Sequence, residues 1–202
     1  MTMYHGSPVA GITELGTLSK THDETASSAV YLTPNRAYAL FYIRDLEINY
    51  VTCGVTAEGY IRYDENFAGQ LRTLYEGKSG FLYKCEDSDS FEKTSTRDVW
   101  VSKNPVSVTG IEEVADAYAK IMKCEAAGLI KVNRYESLSE ERKRDIYEMI
   151  LHSIYKSNYT MSTSKKAMFY KDYFPQAWNY AATHPDERQT NLDEWDRRHG
   201  KK

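Results

Sequence analysis

The alternation of apolar and polar positions divides the chain into a strand-rich first part and a helical second part. Short runs of β-branched and aromatic residues predict strands in the first part, and two stretches with helical spacing lie among them. The predicted strands are Met3–Ser7, Val30–Leu32, Asn49–Thr56, Tyr60–Tyr63, Gly80–Cys85, Asp98–Val101 and Val106–Val108, and the predicted helices are Asn35–Arg44 and Gln70–Tyr75.

The pattern changes after residue 108. Thr109 and Glu112 have the spacing of a capping box, and apolar residues follow at helical spacing as far as Met122. Ser139, followed by two glutamates, predicts the start of a second helix. Two further helices are predicted over Lys165–Ala182, with a break at Pro175, and over Asn191–Arg198.

These elements predict an α+β protein in which a strand-rich core, residues 1–109, is followed by a helical extension, residues 110–202. The join has no linker-like composition, so we expect the helices to pack on the core. Lys20–Ala29 is polar and built of small residues, which predicts a loop beside a functional site.

Composition narrows the class of protein. The chain has 202 residues, 41% of them hydrophobic and 27% charged, which is typical of a globular protein. A net charge of −3 argues against sequence-general binding of nucleic acid. No apolar run approaches the length of a membrane span, and there is no signal-peptide pattern, so a cytoplasmic location and no membrane partner are expected. The three cysteines are widely spaced and predict neither a disulfide framework nor a metal site.

The stretch from Val30 to Arg44 carries the most specific pattern. Thr33 suits an N-cap, and Pro34 suits the first position of the helix. Tyr38 and Tyr42, four residues apart, would lie on one helical face. With Tyr31 at the end of the strand, they form a possible aromatic clamp for a flat ring. The alternative is that Tyr42 only packs the helix against the sheet.

Two other positions add polar chemistry. His5 ends the first strand and is followed by Gly6, whose backbone a ligand can approach closely. Asp98 leads a hydrophobic strand, where a carboxylate could bind a ribose hydroxyl and stabilise positive charge on the sugar. The alternative for His5-Gly6 is a surface turn, and the alternative for Asp98 is an exposed carboxylate in a loop.

Together, His5-Gly6, the two tyrosines Tyr31 and Tyr42 across a strand-to-helix turn, and the acid before a strand resemble the ADP-ribosyltransferase superfamily, in its diphtheria-toxin and poly(ADP-ribose) polymerase branch. The resemblance covers about residues 3–108. It implies a split β-sandwich, here with an added C-terminal helical region, and NAD as co-substrate. The resemblance implies NAD contacts at His5, Gly6, Tyr31 and Tyr42. The neighbouring Ser7, Thr33 and Tyr38 are further candidate NAD-binding residues.

In that family the histidine binds a ribose hydroxyl, the glycine backbone holds the nicotinamide amide, and the two tyrosines bracket the nicotinamide ring. The family acid is usually a glutamate, whereas this chain has Asp98. Three explanations remain open: Asp98 acts in a remodelled pocket, Glu86 or Glu92 substitutes for it, or the fold binds NAD or ADP-ribose without transfer.

The resemblance therefore implies a glycosyltransferase-class enzyme that transfers ADP-ribose to a protein or other macromolecular target, such as a toxin-like or phage-encoded effector, and releases nicotinamide. Two other classes compete with it. One is a catalytically inactive NAD- or ADP-ribose-binding module, and the other is an interaction protein whose tyrosines are core residues. Arg36 and Arg44 are possible diphosphate contacts or solvated surface residues.

Overall fold

The computed structural model describes residues 1–17, 28–45, 47–48 and 50–200. They form a mixed α+β structure with several small sheets. The chain divides into two compact units. Unit 1 comprises residues 1–46, 51–65 and 69–133, and unit 2 comprises residues 47–50, 66–68 and 134–202.

Unit 1 holds the strands and three short helices. Its described strands are β1 (Thr2–Ser7), β2 (Glu14–Leu15), β3 (Val30–Leu32), β4 (Thr52–Val55), β5 (Ile61–Asp64), β6 (Gly80–Glu86), β7 (Glu92–Lys93), β8 (Trp100–Ser102), β9 (Val106–Ser107), β10 (Gly110–Val114) and β11 (Ile130–Asn133). Its helices are α1 (Arg36–Ala39), followed by a 3-10 turn at Leu40–Tyr42, α2 (Gln70–Tyr75) and α3 (Ala117–Ala126).

Two three-stranded antiparallel sheets contribute residues to one apolar cluster of unit 1. Their strand orders are β1-β6-β10 and β3-β8-β7, and a single antiparallel bridge between Tyr4 and Thr33 joins β1 to β3. Buried side chains from both sheets and the adjoining strands pack together: Met3, Leu15, Val30, Leu32, Tyr83, Cys85, Phe91 and Val106. Burial of this apolar surface stabilises the arrangement that holds β1 beside β3.

The remaining strands form a third three-stranded sheet, in the order β11-β5-β4, and one two-stranded sheet. Strand β5 pairs antiparallel with β4 and parallel with β11. Strand β2 pairs with β9. The sequence patterns missed β2, β7 and β11, of which two contain only two residues and carry no readable alternation. Two parts of the predictions lie outside the described residues. They are Asn49, the first residue of the predicted strand Asn49–Thr56, and positions 20–27 of the predicted loop Lys20–Ala29.

The helix predicted over Asn35–Arg44 is shorter than expected, and Thr33 is not its N-cap. Asn35 has an extended backbone, and its Oδ1 accepts hydrogen bonds from the N–H groups of Ala37 and Tyr38. Thr33 instead pairs with β1 and accepts a hydrogen bond from Asn35 N–H at its own hydroxyl. Asparagine is as good an N-cap as threonine, and here the strand pairing takes Thr33 first.

The capping box predicted at Thr109 and Glu112 is wrong. Glu112 lies in β10, which pairs with β6, and Thr109 directly precedes this strand. Helix α3 begins only at Ala117, with Asp116 as its N-cap. A capping box is a local preference, and pairing along a neighbouring strand overrides it.

The change of sequence pattern at residues 109 and 110 does not coincide with the division between the two units. Strand β10, helix α3 and strand β11 all belong to unit 1, so the boundary lies between Asn133 and Arg134. Pairing with β6 and β5 holds β10 and β11 in unit 1, although they follow the change of pattern in the sequence.

Unit 2 is helical, as predicted. Its helices are α4 (Glu140–Lys156), α5 (Lys165–Tyr173), α6 (Pro175–Thr183) and α7 (Arg188–His199). Ser139 caps α4, and Pro175 separates α5 from α6, so both sequence predictions are confirmed. Helix α7 has no buried residue and rests on α4 through a few side chains.

The contact of α7 with α4 centres on a stack of aromatic rings. The Trp195 ring lies between His152, at a centroid distance of 4.5 Å, and His199, at 4.0 Å. His152 is only 8% exposed. Its burial lowers its pKa below the ordinary value of 6.5, and the nearby Lys156 and His199 act in the same direction against Asp196 and Asn191.

We expect unfolding to become easier as the pH falls below about 6.5. Unfolding returns the pKa of His152 to its ordinary value of 6.5, so the unfolded chain takes up a proton at lower pH. The contribution of neutral His152 to the free energy of unfolding is therefore complete above pH 6.5 and is lost as the pH falls. The test is urea unfolding at pH 7.5 and 5.5 for the wild type and for His152→Phe, which keeps a ring on Trp195. An equal loss of stability in both proteins would contradict this role.

Candidate functional site

His5 occupies the point where β1 and β3 separate. Its Nδ1 lies 2.9 Å from the carbonyl oxygen of Tyr31. Because a carbonyl only accepts, Nδ1 carries the proton in this contact, and Nε2 of the neutral ring is an acceptor. Burial lowers the pKa of His5 in spite of this hydrogen bond, so the neutral ring is favoured near pH 7. A neutral Nε2 is suited to accept from a hydroxyl group.

The ladder between β1 and β3 is interrupted at Gly6, and this interruption is called the gap below. The backbone N–H and C=O of Tyr4 both bond to Thr33, at 2.8 and 3.0 Å. In an antiparallel strand, the residue two positions later points its N–H and C=O to the same side. That residue is Gly6. The bridge is isolated, so in the described chain the ladder does not continue to Gly6 and Tyr31. Instead, the His5 ring binds the Tyr31 carbonyl. The gap therefore presents one backbone donor and one backbone acceptor from Gly6.

A glycine is required at position 6 by the helix above it. A Cβ built on Gly6 would lie 1.9 Å from the carbonyl oxygen of Ala39 and 3.2 Å from the Cβ of Tyr42. The start of the 3-10 turn thus rests directly on the β1 backbone and places Tyr42 beside Gly6. The sequence predicted close approach by a ligand here, and the structure shows close approach by the chain itself.

Tyr31 lies on the opposite face of β3 from the buried Val30 and Leu32 and is partly exposed. Partial burial raises its pKa. Burial also raises the pKa of Tyr42, with smaller contributions from Cys53 and Tyr31. Among the described residues, Tyr42 makes its ring contact with Tyr38 and none with Tyr31. The two tyrosines are therefore neighbours whose rings do not touch.

The buried Tyr38 packs against the ring of Tyr42. It is 4% exposed, and its ring meets that of Tyr42 edge to face at 6.0 Å. Burial raises its pKa far above the ordinary value of 10, and the nearby Cys53 and Tyr42 act in the same direction. The predicted pairing of Tyr38 with Tyr42 on one helical face is confirmed, and Tyr38 is placed in the interior.

Ser7 and Thr33 act within the backbone turns that border the gap. The Ser7 hydroxyl accepts from Val9 N–H at 3.1 Å, and the Thr33 hydroxyl accepts from Asn35 N–H at 3.0 Å. Both residues are buried. Each fixes the direction in which the chain leaves its strand.

The three candidate carboxylates lie in different places. Asp98 is not the first residue of a strand, because it occupies the β7–β8 turn with φ of 56° and β8 begins at Trp100. Glu86 is exposed at the end of β6, opposite Thr2. Glu92 is exposed on β7 and pairs with Lys103 at 2.8 Å.

Strand register nevertheless relates one of these acids to Tyr31. Tyr31 pairs with Val101, and Val101 pairs with Glu92, so all three side chains leave the same face of the sheet. Two strand spacings separate the backbones of Tyr31 and Glu92, which is about 10 Å. Asp98 comes from the turn that leads into the middle strand of this row.

The two arginines proposed as diphosphate contacts have partners of their own. Arg36 binds Glu112 with two parallel hydrogen bonds, one of 2.8 Å, and Lys120 approaches the same carboxylate at 3.5 Å. Arg44 donates to the carbonyls of Phe41 and Asp45. Sequence reasoning misses Glu112 as a partner because its spacing from Thr109 predicts a capping role. No local signal joins it to Arg36, 76 residues away.

Comparisons with family models, curated proteins and solved structures found no match to the chain. Within the described residues, no three histidine, cysteine or acidic side chains are grouped so as to hold a metal ion. None of the helices described above is both long enough and apolar enough to cross a membrane.

Proposed function

We propose that this chain is an ADP-ribosyltransferase-like protein that binds NAD in the gap between β1 and β3. The observation that carries the proposal is the interrupted ladder at Gly6, where a backbone N–H and C=O face a gap bordered by Tyr31 and Tyr42. A carboxamide needs one donor and one acceptor side by side, as the Gly6 backbone offers. The tyrosine rings are suited to bracket the attached nicotinamide ring.

His5 supports the same assignment. Its neutral ring is held by the Tyr31 carbonyl, which leaves Nε2 as an acceptor for a ribose hydroxyl. Tyr38, Ser7 and Thr33 position these groups without contacting the ligand. In this proposal NAD is a substrate, and the residues of the gap bind and orient it.

The proposed reaction is transfer of ADP-ribose to a macromolecular acceptor. The bond between the ribose carbon and the nicotinamide nitrogen breaks, and nicotinamide leaves with the electron pair. A nucleophile of the acceptor then bonds to the ribose carbon and loses its proton. Positive charge develops on the sugar, and a nearby carboxylate, for which Asp98 is the candidate, would stabilise it.

The positions of the carboxylates favour a second candidate function, NAD or ADP-ribose binding without transfer. Asp98 lies in a turn, and Glu86 and Glu92 are exposed, with Glu92 bound to Lys103. A carboxylate displaced by about 1 Å from the reacting sugar can lose on the order of a hundredfold in rate.

The first test is calorimetric titration with NAD. We expect binding that weakens about tenfold or more in Tyr31→Ala, because a stacked aromatic ring is lost. Tyr60→Ala, in the turn between β4 and β5, is the matched control and should bind as the wild type does. Absence of NAD binding by the wild type, or equal binding by Tyr31→Ala, would overturn the proposal.

The second test follows the chemistry with labelled NAD and cell extract. Release of nicotinamide together with transfer of label is expected from a transferase, and both should fall about a hundredfold in Asp98→Ala. NAD binding with neither release nor transfer would instead establish the binding module. Activity that survives in Asp98→Ala but is lost in Glu92→Gln would assign the carboxylate role to Glu92.

A further inference from the structure

Unit 2 contains a cavity that neither the NAD proposal nor the packing of its helices uses. Its volume is about 600 Å³, which is within the range of small-molecule sites. The first half of α4 forms one wall, and the corner between α5 and α6 forms another. Asn66, Phe67 and Tyr135 complete the lining, so every lining residue belongs to unit 2.

Flat aromatic surfaces form one part of the lining. Phe67 and Tyr173 are stacked, with ring centroids 4.6 Å apart and planes 25° from parallel. Phe67 is buried, whereas Tyr173 is 38% exposed although its ring contacts both Phe67 and Phe169. The stack fixes the orientation of the Tyr173 ring. A planar ligand that stacks there would therefore cost little side-chain entropy of Tyr173.

Positive charge lines another part. Lys143 is paired with Glu140 at 2.8 Å, so its charge is balanced. Arg144 also lines the cavity, and within the described residues it makes no hydrogen bond or ion pair. A guanidinium offers five donors in a planar fork that matches a phosphate.

The first turn of α6 adds to this positive potential. Pro175, Gln176 and Ala177 line the cavity. The N-cap residue, Phe174, offers no side-chain acceptor, and the first turn has no acidic residue. The backbone N–H groups at this end therefore favour an anion in the same cavity that Arg144 faces.

We propose that this cavity is a second ligand site, for a nucleoside monophosphate. The nucleobase would stack on the Tyr173 side, and the phosphate would bind Arg144. The combination of a fixed aromatic surface and an unbalanced guanidinium in one cavity fits a flat ring that carries an anionic group, and it fits neither a neutral ring nor a free phosphate as well. This site is separate from the gap at Gly6 and does not depend on NAD binding there.

The test is calorimetric titration of the full chain with AMP, adenosine and ribose 5-phosphate. We expect AMP to bind at least about tenfold more tightly than adenosine or ribose 5-phosphate, because each of these lacks one of the two recognised groups. Arg144→Ala should weaken AMP binding about tenfold, and Tyr173→Leu should weaken it by a similar factor. Arg142→Ala is the matched control, because Arg142 lies on the same helix, pairs with Asp145 and does not line the cavity.

The Tyr31→Ala variant separates this site from the proposed NAD site. AMP binding that survives in Tyr31→Ala and falls in Arg144→Ala supports the cavity. AMP binding that is lost in Tyr31→Ala and unchanged in Arg144→Ala places the nucleotide in unit 1 and overturns the proposal. Absence of AMP binding at millimolar concentration, or adenosine binding as tightly as AMP, also overturns it.

Discussion

Gly6→Ala is expected to cause a large loss of stability and to abolish NAD binding. The added methyl group would meet the Ala39 carbonyl at 1.9 Å, a distance at which the backbone must move. A carbonyl of the helical segment cannot swing aside as a flexible side chain can, so either β1 or the segment carrying Tyr42 is displaced. We expect a loss of about 3 kcal/mol in the free energy of unfolding, the upper range for an overpacked site.

Gly54→Ala is the control for this change. Gly54 is also in a strand, β4, and a Cβ built there meets nothing within 4 Å. This substitution should leave NAD binding unchanged and should not lower the free energy of unfolding, because glycine is a poor strand residue. Urea unfolding followed by circular dichroism measures both variants. A Gly6→Ala protein as stable as Gly54→Ala would show that the helix does not rest on Gly6.

The parts of the fold that sequence predicts well are those with local causes. Ser139 caps α4 through its own side chain, and Pro175 interrupts the helical run because it has no N–H to donate. The sequence also predicts strand β1, because its apolar residues suit a strand. By contrast, Thr109 and Glu112 have the local form of a helix start. Glu112 nevertheless lies in β10 and pairs with β6, and Thr109, directly before β10, donates its N–H to the carbonyl of Lys84 in β6.

For the candidate site, sequence predicted which residues come together at His5 and Tyr31 but not how. The hydrogen bond from the His5 ring to the Tyr31 carbonyl depends on a ladder that stops after one bridge. Where a ladder stops is decided by the path of both strands, which no spacing in the sequence records. The same limit applies to Asp98, whose turn conformation follows from the hairpin between β7 and β8.

Tyr75→Ala is expected to produce a stability loss of about 3–5 kcal/mol, the usual range for removing a fully buried aromatic ring. Tyr75 is 0% exposed. Its ring meets Phe41 edge to face at 5.7 Å, and Phe41 is stacked on Tyr63 at 5.2 Å. Phe41 immediately precedes Tyr42, so the cavity left by this change would also loosen the 3-10 turn that carries Tyr42. We expect weaker NAD binding together with the loss of stability.

Tyr75→Phe separates the ring from its hydroxyl. The Tyr75 hydroxyl donates to the Phe41 carbonyl at 3.0 Å, but Arg44 also donates to this carbonyl, at 3.2 Å. Removal of the hydroxyl therefore leaves the acceptor with a partner, and the cost should be about 1 kcal/mol. Urea unfolding and NAD titration of both variants measure the difference. If Tyr75→Phe lost as much stability as Tyr75→Ala, the hydrogen bond and not the ring would hold the turn, and Tyr42 would be positioned through the Phe41 carbonyl alone.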